Sequence, residues 1–204
     1  MIQRGRGRPA VLTVERIVDA AVEVLDAEGL DALTMRRLGS HLGVAAMSLY
    51  RHVPNRDALL AEIVNRLFAE AVTESRPGGP WPEALSGFAG AYRRMLLAHP
   101  HAVPLLATHP VDVELGLELL GGLLDRFDEG GVPRESALTA VQSVGVYVLG
   151  HALAQVGVPP GGEEPPPDTD QTFYDQWFDT GLRAMVSGFE RIIGCDPSKP
   201  PLSV

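Results

Sequence analysis

Apolar residues recur at helical spacing along most of the chain, and no stretch alternates in the manner of a strand. Over residues 14–28, Val14, Ile17, Val18, Ala21, Val22 and Leu25 share one broad face, with Glu15, Asp19, Glu23 and Asp26 opposite. This predicts an amphipathic helix capped by Thr13 and ended by Gly29. A second short helix is predicted over 34–41 with Thr34 as its cap, then Leu42-Gly43-Val44, then a third helix around 46–52. Pro54-Asn55 breaks the pattern, and Asn55 can cap a fourth helix carrying Leu60, Ile63, Val64, Leu67, Phe68 and Ala71. Pro77-Gly78-Gly79-Pro80 ends that run. Further on, one helix holds Phe88, Tyr92 and Met95, and another Val113, Leu117, Leu120, Leu124 and Phe127. Two long helices follow at 134–156 and 175–193, separated by residues 157–170, a run rich in proline, glycine and acids that reads as a mobile loop.

The expected fold is therefore all-α: an N-terminal three-helix head and a C-terminal helical core. The expected division is an arm at 1–12, a head at 13–60, a core at 61–194 and a tail at 195–204. Residues 136–162 contain no Asp, Glu, Lys or Arg, so that segment is long and uncharged enough to raise a membrane span. Gln142, Ser143, His151 and Gln155 would put polar groups in hydrocarbon, and no basic cluster flanks the run, so a central buried helix is expected instead.

Charge changes the picture. The formal net charge is -9, which argues against a polyanionic partner until it is divided along the chain. Residues 1–66 carry nine arginines against eight carboxylates, and Arg4, Arg6 and Arg8 precede the first acid, Glu15. A polyanion would meet the N-terminal third. The Arg-Gly-Arg-Pro composition at 6–9 suits a minor-groove hook and equally a solvated tail. A single cysteine, Cys195, leaves no intramolecular disulfide or multi-cysteine metal site, which favours a reducing, cytoplasmic setting. The basic N-terminus is followed by no apolar signal-peptide core, so secretion is not expected. Neither His-Glu-x-x-His, a phosphate loop nor Gly-x-Ser-x-Gly occurs, and no catalytic role is expected. His99, His101 and His109 fall within eleven residues, but histidines beside prolines at helix ends more often act as caps or pocket edges than as metal ligands.

Residues 35–54 fit a helix-turn-helix, with Leu38, Leu42, Val44 and Leu49 packing inside, Gly43 in the turn and Gly39 where two helices approach. Ala45, Ala46, Met47, Ser48, Tyr50 and Arg51 would then face outward, a surface able to enter a major groove. Here the sequence resembles the TetR family of bacterial transcriptional repressors. The resemblance lies in Leu33-Thr34-Met35-Arg36-Arg37-Leu38, in Leu42-Gly43-Val44 and above all in Leu49-Tyr50-Arg51-His52-Val53-Pro54-Asn55-Arg56-Asp57-Ala58-Leu59-Leu60. A weaker likeness runs through Thr108-His109-Pro110, Glu135-Ser136-Ala137-Leu138 and Ser143-Val144-Gly145 to Leu149-Gly150. It implies a homodimer with two DNA-binding heads and a core for a small-molecule effector, hence a ligand-responsive repressor on a palindromic operator. By that resemblance Arg36 and the exposed face from Ala45 to Tyr50 would meet bases or nearby phosphates, and Tyr50, His52 and Arg56 the DNA backbone, with Thr34 and Arg51 counted among the DNA-binding residues. Packing within the head is the competing role for Tyr50 and His52. A helical small-molecule-binding protein without DNA binding is the alternative function.

The resemblance also marks departures. The positions that hold a drug-bound metal in the tetracycline-repressor branch align with Leu105 or Leu106 and with Ala154, and a drug-facing amide aligns with Phe88. A hard cation needs oxygen ligands and charge, so no metal or cofactor is expected. What remains is an apolar pocket of Phe88, Tyr92, Met95, Leu105, Leu106, Leu117, Leu120, Val144 and Tyr147, with His109 and His151 as polar contacts, or simply a filled core. In the last two helices, Phe178, Leu182, Met185, Phe189 and Ile192 run beside Gly181, Ala184 and Gly188, and Val141, Gly145, Val148 and Ala152 form a small-residue stripe. Together they suit a four-helix dimer interface, with a core inside one subunit as the competing reading.

Overall fold

The computed structural model describes residues 11–157 and 171–194. Arg4, Arg6, Arg8 and the expected loop after residue 157 lie outside the described residues. Those residues are helical with no strand among them, and the chain divides into two compact units, Met1–Ile63 and Val64–Val204.

The first unit holds α1 (Val14–Glu28), α2 (Met35–Leu42), α3 (Ala46–Leu49) and the start of α4 (Arg56–Ser75). Thr13 Oγ1 accepts from the Arg16 N–H at 3.3 Å, and Thr34 Oγ1 from the Arg37 N–H at 3.1 Å, so both predicted N-caps form. Asn55 Oδ1 accepts from the Ala58 N–H at 2.8 Å and opens α4. Ile17, Leu25, Leu33, Leu38, Leu49, Leu59 and Ile63 are fully enclosed. Each such side chain contributes ~1.5–3 kcal/mol relative to exposure. Gly43 ends α2 at φ 69, in the left-handed region where a side chain would be strained. The third helix is one turn, shorter than the predicted 46–52. Val53, 2% exposed, turns into the core there, and Pro54 disfavours a helical conformation for the residue before it.

The second unit comprises the remainder of α4, then α5 (Trp81–Ala98), a 3-10 turn (Pro100–Ala102), α6 (Val103–Thr108), α7 (Val113–Leu119), α8 (Gly121–Glu129), α9 (Arg134–Val156) and α10 (Gln171–Gly194). Its centre is α9, packed by α5, α6, α8 and α10. By length and composition α9 could cross a membrane, yet Ala137, Ala140, Val141, Val144, Val148, His151 and Ala152 are covered by protein. The predicted single helix from Val113 to Phe127 is two helices instead. Leu120 leaves the helical register before Gly121-Gly122, where glycine lowers helix propensity by ~1 kcal/mol per residue. Only the α8 part, through Leu123, Leu124 and Phe127, reaches the core; α7 buries none of its residues. The last helix begins at Gln171, four residues before the predicted start. Gln171 accepts from Gln155 at 3.0 Å and donates to Asp175 at 3.1 Å, which ties the extra turn to α9.

Candidate functional site

The head presents α3 to solvent. Met47 is 73% and Tyr50 43% exposed, Ala45, Arg51 and His52 are exposed, and Ala46 and Ser48 half so, while Leu49 alone points inward. The close crossing that holds α3 in this attitude needs Gly39, since a Cβ there would lie 2.9 Å from the Val44 carbonyl and 3.2 Å from the Ala46 nitrogen. Arg36 and Thr34 are exposed at the start of α2. The neighbouring Arg37 is occupied: its Nε donates to both Glu28 oxygens at 2.9 and 3.0 Å and its Nη2 to Oε1, which holds the Glu28 carboxyl below the usual carboxylate value. The pair locks α1 to α2 and leaves Arg36 as the outward guanidinium of that motif.

Arg56, read from the sequence as a phosphate contact, has a second occupation. Its Nε donates to the Leu33 carbonyl at 3.2 Å and its Nη2 to the Leu30 carbonyl at 3.1 Å, fastening the α1–α2 turn to α4.

In the second unit, Phe88, Tyr92, Met95, Leu105, Leu106 and Val144 are all buried. Phe68, Phe88 and Tyr92 meet as a ring cluster with centroids 5.9 to 6.2 Å apart, and burial pushes the Tyr92 phenol up to about 12. Leu117 is 37% exposed on α7 and Leu120 half-exposed, so these two do not share that enclosure. His109 closes α6, its Nδ1 3.0 Å from Thr108 Oγ1. Among the described residues no three His, Cys, Asp or Glu side chains converge as metal ligands, and His99 sits 3.8 Å from the Glu70 carboxylate.

Tyr147 and His151 belong to a different neighbourhood, between α5, α9 and α10. The Tyr147 hydroxyl donates to the Trp177 and Phe178 carbonyls at 3.2 and 2.9 Å. His151 is 3% exposed among Tyr147, Tyr174, Trp177 and Phe178. Arg93, which sequence reasoning passed over, reaches the same place. Its Nη2 donates to Asp175 at 2.7 Å and Gln155 at 3.1 Å, and its guanidinium carbon lies 4.7 Å from the Phe178 ring centre. A single arginine at helix position 93 carried no spacing signal of its own.

The residues expected at a dimer interface differ in burial. Val141, Val148, Ala152, Phe178 and Leu182 are buried inside their own chain, and a Cβ on Gly181 would stand 2.2 Å from the Tyr147 hydroxyl. These positions pack α9 against α10 within the chain. Met185, Phe189, Gly145 and Gly188 remain half-exposed, and a Cβ on Gly145 or Gly188 meets nothing within 4 Å. On the described parts of α9 and α10 the exposed large apolar residues are Val146, Leu153, Phe173, Trp177 and Ile192.

Two family models match the chain: residues 17–63 match the bacterial regulatory proteins of the tetR family, and residues 75–172 the tetracyclin repressor-like C-terminal domain. The chain belongs to the TetR family. The first match ends at the boundary of the head unit, Ile63. Among its relatives, an HTH-type transcriptional regulator of Saccharopolyspora erythraea is 33% identical over 153 residues, 75% of this chain and 64% of that protein. The chain thus spans a little under two thirds of that relative's length. The class D tetracycline repressor of Escherichia coli is 30% identical over 199 residues, covering 89% of this chain and 90% of the repressor. The Streptomyces coelicolor TetR family protein ActR, solved in complex with actinorhodin, superposes with a TM-score of 0.74 at 29% identity, covering 91% of this chain and all of that one.

Proposed function

We propose that this protein is a cytoplasmic, dimeric, ligand-responsive repressor that binds a palindromic operator through α3 and leaves it when a small organic effector enters the core. The observation that carries the reading is the outward face of α3, with Arg36 beside it, on a chain that is otherwise acidic. Ala45, Ala46 and Met47 make that face unusually apolar, so thymine methyl contacts and DNA shape take a large share of specificity, while Arg36, Arg51, His52 and Arg56 hold phosphates. Arg4, Arg6 and Arg8 extend the contact into a flanking minor groove.

Two recognition helices must stand about 34–36 Å apart to enter successive major grooves. Because α4 is one unbroken helix from Arg56 to Ser75, a ligand that displaces its C-terminal half moves the head that its N-terminal half anchors. A differential affinity of a few kcal/mol between the two states suffices. Leu105 and Leu106 are buried hydrocarbon where a metal-bearing drug would need a ligand, which supports a metal-free, largely apolar or aromatic effector. The uncovered side chains Val146, Leu153, Phe173, Trp177 and Ile192 support a dimer that closes over α9 and α10.

The apolar α3 favours one rival, a ligand-binding protein that has lost DNA binding. A mobility-shift assay on DNA upstream of the protein's own gene separates the two: a shifted band that an apolar aromatic compound abolishes supports the repressor, and no shift at any protein concentration supports the rival. Magnesium-dependent tetracycline binding in calorimetry would overturn the metal-free effector.

A further inference from the structure

The head fixes its outward helix and leaves that helix almost without groups that read a base by hydrogen bonds. Leu49 anchors α3 from within, and the close crossing at Gly39 sets its attitude. Among the described residues of the head three large apolar side chains are exposed: Val11, Met47 and Tyr50. Val11 precedes α1, whereas Met47 and Tyr50 stand one helical turn apart at α3, preceded by Ala45, which is exposed, and Ala46, which is half so. Arg51 and His52 follow directly and are exposed, as is Arg36 on α2. No Asp or Glu lies between Gly43 and Arg56. An apolar face bordered by cations and free of carboxylates is complementary to an apolar spot on a polyanion.

Elimination among the base-reading groups names that spot. In the major groove adenine is read by the amide of Asn or Gln, guanine by Arg or Lys, and cytosine by a carboxylate. The only side-chain amide among the described residues of the head is Asn55, and its Oδ1 accepts from the Ala58 N–H at the start of α4. Arg36 and Arg51 suit guanine, and the Ser48 and Tyr50 hydroxyls bond to a donor or an acceptor alike. An A·T pair under α3 therefore offers this face one distinctive feature, the 5-methyl group of thymine. Met47 is the longest flexible apolar side chain there, and its unbranched thioether can mould itself to that group. A side chain that reads the methyl group without a hydrogen bond to the ring does not separate thymine from 5-methylcytosine, which carries the same methyl group at the same ring position.

We propose that Met47 is a specificity-determining residue that reads pyrimidine 5-methyl groups in the major groove, so that 5-methylcytosine substitutes for thymine in the operator and cytosine does not. The proposal rests on the operator-binding reading above and adds to it a response to cytosine methylation.

The test uses the full chain and the stretch of its own promoter that it protects from hydroxyl radicals, made as synthetic duplexes and titrated by fluorescence anisotropy at one salt concentration. In one duplex uracil replaces every thymine, which removes the methyl groups and keeps the base pairing. Burial of one methyl group is worth about fourfold in affinity, so with one thymine read in each half-site wild type should bind the uracil duplex about fifteenfold more weakly. Met47→Ala, at an exposed helical position, should keep the wild-type melting temperature, bind the thymine duplex more weakly and lose most of the uracil penalty. At the thymine where a single uracil costs most, cytosine should weaken binding and 5-methylcytosine should recover about fourfold. Equal affinity for thymine and uracil duplexes, an equal uracil penalty in wild type and Met47→Ala, or equal binding of cytosine and 5-methylcytosine overturns the proposal. If wild type protects the promoter site while the methyl groups make no difference, the role of Met47 alone is wrong. If it protects no promoter DNA, the repressor reading falls and takes this proposal with it.

Discussion

At the scale of single residues, Gly39 shows how one missing methyl group sets the attitude of α3. Alanine there gains ~1 kcal/mol of helix propensity. Its Cβ would also press on Val44 O, Ala46 N and Ala46 Cα at 2.9, 3.2 and 3.3 Å, all backbone atoms that cannot rotate away. Overpacking of this kind costs ~1–3 kcal/mol, so Gly39→Ala is expected to lower the urea midpoint of the head; an unchanged or raised midpoint contradicts the crossing as described. His151 supplies a pH signature with a definite sign. Burial and the nearby Arg93 charge hold its folded value below the unfolded one, so as pH falls from about 7 toward 5.5 the unfolded chain takes up the proton first and stability declines. Wild type should lose melting temperature across that window more steeply than His151→Phe, and parallel slopes would contradict the buried neutral imidazole. Gly39 was legible in the sequence because its neighbours form a recognisable motif. Arg93 was not, because its partners Gln155 and Asp175 lie 62 and 82 residues away, and only the packing of α5 against α9 and α10 brings them together.

At the scale of elements, the helices with strong caps and clear faces were readable to the residue. α1 begins and ends where the spacing of apolar side chains and the flanking Thr13 and Gly29 place it, and α9 spans the expected residues although no side chain caps its start. The errors fell where tertiary contacts decide: α3 stops early so that Val53 can be buried, and α10 starts early because Gln155 on α9 holds Gln171. Arg56 couples such elements and gives a prediction that separates structure from recognition. Arg56→Met keeps the aliphatic stem and loses the bonds to Leu30 and Leu33. Charge-assisted bonds are worth ~1.5–3 kcal/mol when buried, and with one of these two exposed the expected loss is about 1 kcal/mol. Both melting temperature and DNA affinity should therefore fall in Arg56→Met, whereas Arg36→Ala should lower affinity at an unchanged melting temperature. If Arg56→Met melts like wild type, the turn is held by something else.

At the scale of the whole molecule, the sequence showed which helices are rich in small and apolar residues but not which side of each faces its own subunit. Phe178 and Leu182 are buried within their own chain and Gly181 packs on Tyr147, whereas Val146, Leu153 and Gly188 face away from it. A bulky side chain at Gly188 has open space in its own chain, and one at Gly181 strikes Tyr147. Gly188→Trp is thus expected to sediment as a folded monomer at micromolar concentration, and Gly181→Trp to lose helical signal. A dimer that survives Gly188→Trp places the twofold axis elsewhere. The central claim, that an acidic protein carries a DNA-reading head, is tested most directly by the salt dependence of its affinity for a palindromic duplex from its own promoter. With roughly 6–10 phosphates neutralised per complex, affinity should fall by about 10³–10⁵ between 50 and 200 mM salt. Affinity that stays constant across that range, or no binding at the low end, would contradict it.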